Sequence, residues 1–76
     1  MLENAKVGDE VIINHGTVGV VVEVDHEFDS DEIEDGRGVL VTADWDDTGV
    51  IYQQWCRYNG RAFGFENINH VTEVVK

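Results

Sequence analysis

Apolar and polar positions alternate along most of the chain with a period of two, the signature of strands with one buried face. "EVIIN" (10–14) is a short apolar run that follows the turn-like Val7-Gly8-Asp9 and ends at His15-Gly16. "TVGVVVEVDHEF" alternates over its length. Val18, Val20, Val22, Val24, His26 and Phe28 fall on one side, and Gly19, Val21, Glu23, Asp25 and Glu27 on the other. "GVLVTADWD" sets Val39, Val41, Ala43 and Trp45 against Leu40, Thr42, Asp44 and Asp46, and Asp47-Thr48-Gly49 breaks it as a turn.

A fourth pattern, "IYQQWCRYNGRAFGF", holds Asn59-Gly60 between two strand-like arms. Asn-Gly favours a two-residue type I′ hairpin turn. That turn predicts Tyr58 opposite Arg61, Cys56 opposite Phe63 and Gln54 opposite Phe65, with Arg57 opposite Ala62 and Trp55 over Gly64. Cys56, Tyr58, Phe63 and Phe65 then face the core, and Gln53, Trp55 and Arg57 share the open face. "INHVTEVV" supplies a last strand, preceded by one short helical turn near residues 66–70.

The fold class expected is all-β: a single domain over 1–76, a small, bent antiparallel barrel of about five strands. The chain has no proline, and glycine marks the turns at Gly16, Gly36, Gly38, Gly49 and Gly60.

Charge changes the functional picture. The chain carries 16 Asp+Glu against 5 Lys+Arg, a formal net charge of -11. Direct nucleic-acid binding needs cations to neutralise phosphates, so this balance argues against it and towards a basic protein surface as partner. One cysteine, Cys56, cannot form an intramolecular disulfide, and no charged-then-apolar leader opens the chain, so a reducing cytoplasm is the expected compartment. No apolar run approaches the length of a membrane span.

"VGDEVIINHGTVGVVVEVD" resembles the opening of SH3-like barrels of the KOW, Tudor and mind-bomb type, and of the heat-shock family that binds hemimethylated DNA. The matching residues are Gly8, Asp9, Val11, Gly16, Gly19, Val20 and Val24, and "VLVTADWDDTG" is similar to their third strand and its turn. The resemblance covers about residues 6–49. It implies an SH3-like barrel, a fold on which families bind nucleic acid, peptides or other proteins.

Half of the acidic residues, Glu23, Asp25, Glu27, Asp29, Asp31, Glu32, Glu34 and Asp35, lie in "EVDHEFDSDEIEDG", which has no Lys or Arg. If the strand ran on, Glu23, Asp25, Glu27, Asp29 and Asp31 would line one face at about 6.6 Å intervals, twice the strand rise. Such a row could enter the phosphate-binding groove of a basic protein; it could equally be a solvated outer face that discourages edge pairing. The segment does not meet the EF-hand pattern, because from Asp25 the sixth place is Ser30 and the last is Gly36. No metal or cofactor is predicted. His15, His26 and His70 lack zinc spacing, Cys56 reads as a small core hydrophobe, and the sole serine, Ser30, has no base or oxyanion donors nearby.

The expected function is therefore a non-enzymatic protein-interaction module. Its acidic face, with Trp55 and Arg57 as anchors, binds a basic protein surface. Size and composition resemble phage or mobile-element accessory proteins that inhibit a host nucleic-acid-binding protein by mimicking DNA. Two alternatives use other residues: a Tudor-like methyl-lysine or peptide reader would line a cage with Trp55, Tyr52 or Tyr58, and a KOW-like nucleic-acid or ribonucleoprotein binder would use Arg37, Arg57 and Arg61. An open hairpin face with Trp55 makes a homodimer conceivable.

Overall fold

A computed structural model of the chain describes residues 1–27, 37–64 and 66–75. Five strands, β1 (Glu10–Ile13), β2 (Thr17–Glu27), β3 (Arg37–Ala43), β4 (Tyr52–Arg57) and β5 (Val71–Val74), form one antiparallel sheet in the order β4-β3-β2-β1-β5. The expected small, barrel-like all-β architecture is present. No described segment is a helix long and apolar enough to cross a membrane.

The long strand β2 makes the sheet curl: Thr17 to Val20 pair with β1, while Val20 to Glu27 pair with β3. At the crossing, Gly19 is buried, and a Cβ there would come within 3.0 Å of Val41 Cγ1 and 3.1 Å of Ala43 Cβ. The missing side chain lets β2 lie tight against β3. β1 reaches β2 through a turn closed by Gly16 N–H donating to the Ile13 carbonyl (3.0 Å), with Asn14 and His15 both at positive φ (48° and 65°). Asn is one of the few residues besides glycine that visit that conformation, and the Asn14 side chain is held there by bonds to Trp45, Asn69 and His70.

The core follows the alternation of β3. Val39, Val41, Ala43 and Trp45 are buried as expected, together with Val11, Ile13, Val21, Cys56, Ala62, Val71 and Leu2. In β2 the single unbroken alternation is not what forms. Gly19 and Val21 point inward and Val18 is exposed, and register shifts between Val21 and Glu23 and between Glu23 and His26 then hand the inward role to Val24. Asp25 sits at φ 55° in the second irregularity. Extra residues of this kind bend a strand and reset which side chains share a face, so Glu23, Asp25 and Glu27 are not an even row. Phe28 and the onward run to Asp31 lie outside the described residues.

The hairpin after β4 also differs from the expected one. Gly60 N–H donates to the Arg57 carbonyl and Arg57 N–H to the Arg61 carbonyl (both 2.8 Å), so three residues, Tyr58, Asn59 and Gly60, form the loop, with Gly60 at φ 99° and Asn59 not at positive φ. This is the turn-plus-left-handed-residue loop, not the two-residue type I′. The change in loop length shifts the register by one and reverses every side chain beyond it. Ala62 therefore enters the core opposite Cys56, and Phe63, expected inside, lies on the outer face opposite Trp55. The Gln54 to Phe65 pairing lies outside the described residues.

The same returning segment spans the open edges of the sheet. Ala62 bridges to Cys56 of β4, and Arg61 bridges to His70 at the threshold of β5. Near 66–70 the chain makes one turn, with Asn67 N–H donating to the Gly64 carbonyl (3.2 Å), but the described residues form no helix there.

Cys56 is fully buried and unpaired in any disulfide, and burial pushes its thiol from about 9 up to about 12. Thiol reagents are expected to label it only in denaturant. Above pH 9 the unfolded chain sheds a proton that the folded chain keeps. Its contribution to stability is thus intact below 9 and falls by up to about 1.4 kcal/mol per pH unit towards 12. Urea melts of wild type and Cys56→Ala at pH 8 and 10.5 check this: the wild type should lose more stability over that interval.

Candidate functional site

The face of β2, β3 and β4 that turns away from the core brings Glu23, Trp55 and Arg57 together with His26, Leu40 and Phe63. Two rows cross it. Glu23, Leu40 and Trp55 are successive partners across the three strands, and Phe63 extends the row by donating its N–H to the Trp55 carbonyl (2.9 Å). In the next row His26 faces Gly38, Gly38 faces Arg57, and Arg57 faces Arg61. Gln53, Trp55 and Arg57 thus share the open face, as their alternation implies.

Gly38 decides how the rows interlock. It has no side chain between His26 and Arg57, which leaves room for the His26 ring to lie against Trp55, centroids 4.4 Å apart and planes tilted by 32°. The Glu23 carboxylate lies 3.8 Å from His26 Nδ1. On the other side the Arg57 guanidinium sits 5.4 Å from the centre of the Phe63 ring, a cation–π arrangement made possible by the shifted hairpin register.

The carboxylates expected to act together are placed differently from one another. Glu23 and Glu27 are exposed, with Glu27 opposite Arg37 where β2 and β3 meet the acidic segment. Asp25 instead accepts a 2.7 Å hydrogen bond from the Tyr58 hydroxyl. That bond, with some burial, holds the Tyr58 phenol above its ordinary range. It also ties the far end of β2 to the 58–60 loop. Asp29, Asp31, Glu32, Glu34 and Asp35 lie outside the described residues.

The aromatic cage is not assembled as drawn. Trp45 is buried, Tyr52 lies on the core side of β4 with its hydroxyl donating to Asp46 (3.0 Å), and Trp55 is on the opposite side. Tyr58 packs against the core. Among the described residues no group of three or more His, Cys, Asp or Glu side chains could hold a metal ion. His15 and His70 do meet, edge to face at 5.5 Å, well away from His26 in the register.

Two features were not foreseen. His26 on β2 becomes the ring partner of Trp55 on β4, two strands away across Gly38 of β3, which no local pattern signals. A polar network around Asn14, Asn67 and Asn69 was also missed. Asn14 Nδ2 donates to the Trp45 carbonyl and to Asn69 Oδ1 (both 3.2 Å), its Oδ1 accepts from His70 N–H (3.1 Å), and Asn67 Nδ2 donates to Gln54 Oε1 (2.9 Å). The density of asparagine in "ENINH" was the available signal, since Asn bonds local backbone readily.

No protein-family model matches the chain, and no curated protein or solved structure matches it significantly.

Proposed function

We propose that the chain is a non-enzymatic interaction module of the SH3-like barrel type, which docks a Lys/Arg-rich protein surface on the outer face of β2 to β4. One observation carries this reading: Trp55, His26, Leu40, Phe63 and Arg57 are brought together away from the core, flanked by Glu23, in a chain of net charge -11. Partly buried Trp and Arg are the residue types that anchor interfaces, and surrounding charge of one sign steers encounter and selects the partner's sign. Trp55 and Arg57 are the anchors in this reading; Glu23, Asp25, Glu27 and the 29–35 carboxylates steer. The module acts in a reducing compartment, consistent with one buried free cysteine.

The uneven placement of Glu23, Asp25 and Glu27 favours a charged patch over a regular copy of phosphate spacing, so a DNA-mimicking inhibitor would rely on the segment beyond Glu27. The test uses wild type, Trp55→Ala, and a variant with Asp29, Asp31, Glu32, Glu34 and Asp35 neutralised together as baits in a lysate, eluted with rising salt. A retained Lys/Arg-rich protein is expected to fall away from both variants. Retention indifferent to both would sink the proposal. If that protein also binds nucleic acid and the module competes with it, inhibition by mimicry is the form the function takes.

A second reading has one observation in its favour. Arg57 lies opposite Arg61 and its guanidinium sits over the Phe63 ring, so two of the three arginines meet beside Trp55 and Phe63, whereas Arg37 alternates to the other face of β3. Cations interleaved with stacking rings suit single-stranded nucleic acid. A gel shift at low salt, where phosphate contacts are strongest, separates the readings: retention would support this one.

A further inference from the structure

The loop between β3 and β4 and the loop before β5 present apolar side chains to solvent although both are firmly tethered. In the first, the Asp44 carboxylate accepts the N–H groups of Thr48 (3.0 Å) and Gly49 (2.9 Å), and Val50 and Ile51 that follow are 62% and 69% exposed. In the second, Asn67 donates to Gln54 Oε1 and to the Phe63 carbonyl, and its Oδ1 accepts the Asn69 N–H (2.9 Å). Asn69 in turn bonds Asn14 and the Tyr52 hydroxyl. With both neighbours pulled towards β4, Ile68 between them is thrust outward and is 86% exposed. Its anchors, Tyr52 and Gln54, belong to the strand that Val50 and Ile51 lead into.

Single exposed aliphatic side chains are ordinary, but three on two neighbouring, internally bonded loops make a patch already set in shape before any partner arrives. The patch has a charge as well. Loops 44–51 and 64–70 contain no Lys or Arg, and Asp46, Asp47 and Glu66, all exposed, lie on the same two loops as the three aliphatic side chains. Arg61 sits opposite His70, beyond the loop.

We propose that Val50, Ile51 and Ile68 form a second docking surface, distinct from the Trp55 face, for a protein surface whose apolar depression is rimmed by Lys or Arg. Asp46, Asp47 and Glu66 meet that rim. A second copy of this chain fits poorly there, because two acid-rimmed patches would oppose like charges.

The probe is a helical peptide with one leucine face and one lysine face, titrated into the labelled protein at about 0.15 M salt with amide shifts followed by NMR; polylysine is the purely electrostatic comparator. Shifts are expected at residues 48–51 and 66–69. The exposed-site variant Val50→Ser/Ile51→Ser/Ile68→Ser should weaken the leucine–lysine peptide roughly tenfold while leaving polylysine within about twofold. Equal loss for both probes, no loss for either, or shifts confined to the Trp55 face would overturn the proposal. So would sedimentation showing a wild-type dimer that the triple variant dissolves, since the patch would then be a contact between copies.

Discussion

Replacing Gly60 with alanine is expected to cost about 3 to 4 kcal/mol, a large part of the stability of a domain this size. Two costs coincide. Gly60 is at φ 99°, where an L side chain is strained, and a Cβ there would run into the Val71 carbonyl oxygen, which is backbone and has little freedom to retreat. Retreat is opposed further because Val71 N–H donates to the Gly60 carbonyl (2.7 Å), the bond that holds the start of β5 to the 58–60 loop. Gly16→Ala is the control, since it is not at positive φ and an added Cβ meets nothing within 4 Å. Its effect should stay within about 0.5 kcal/mol. Urea denaturation of the two variants beside wild type decides the matter. A Gly60→Ala protein as stable as Gly16→Ala would show that the loop and β5 are not locked together in this way.

Leu2→Ala is expected to destabilise by about 3 kcal/mol, within the usual range for emptying a fully buried leucine site. Leu2 is completely buried, lies in the core with Val39, Cys56 and Val71, and is held there by its own N–H donating to the Tyr58 carbonyl (2.9 Å). The segment before β1 is bonded to the sheet beyond that point, with Gly8 N–H donating to the Val21 carbonyl (2.8 Å) and Val21 N–H to that of Asp9 (2.9 Å). The cavity left by the leucine therefore has walls that cannot easily collapse. Leu2→Met, which keeps the volume, should recover most of the loss, because volume-conserving swaps cost less. Thermal melts of the pair test this. If both variants melt with wild type, the leucine does not seal the core.

Both predictions rest on contacts that no window of sequence displays. "MLENAKVGDE" has no strand period, so Leu2 could not be assigned a partner; it is core because the 58–60 loop offers its carbonyl and the sheet leaves a space there. Asn59-Gly60 correctly marked a hairpin, and glycine at positive φ was needed as that dipeptide suggests. The dipeptide did not choose between a two-residue and a three-residue loop. That choice sets Ala62 against Cys56 and moves Phe63 to the outer face, and it is coupled to the bond between Gly60 and Val71 across the barrel.

The candidate site divides the same way. Trp55, Arg57 and Gln53 on one face, opposite Cys56, follow from alternation alone and are where the sequence put them. Their company is different: His26 reaches Trp55 over Gly38, and Phe63 joins Arg57 only through the shifted register. The acidic row was legible as a charge excess but not as a shape, because the irregularities at Glu23 and Asp25 interrupt the period on which the even spacing depended.

Alternation along the chain therefore suffices for the all-β class, the inward face of β3, the buried cysteine and the outward tryptophan. All of these are consequences of a local, two-residue period in which each side chain's direction is settled by its neighbours. Loop length, bulges and the burial of Leu2 were decided by tertiary structure. They depend on which backbone groups meet across the curled sheet and on what volume is left to fill, and those quantities exist only once the strands have packed on one another.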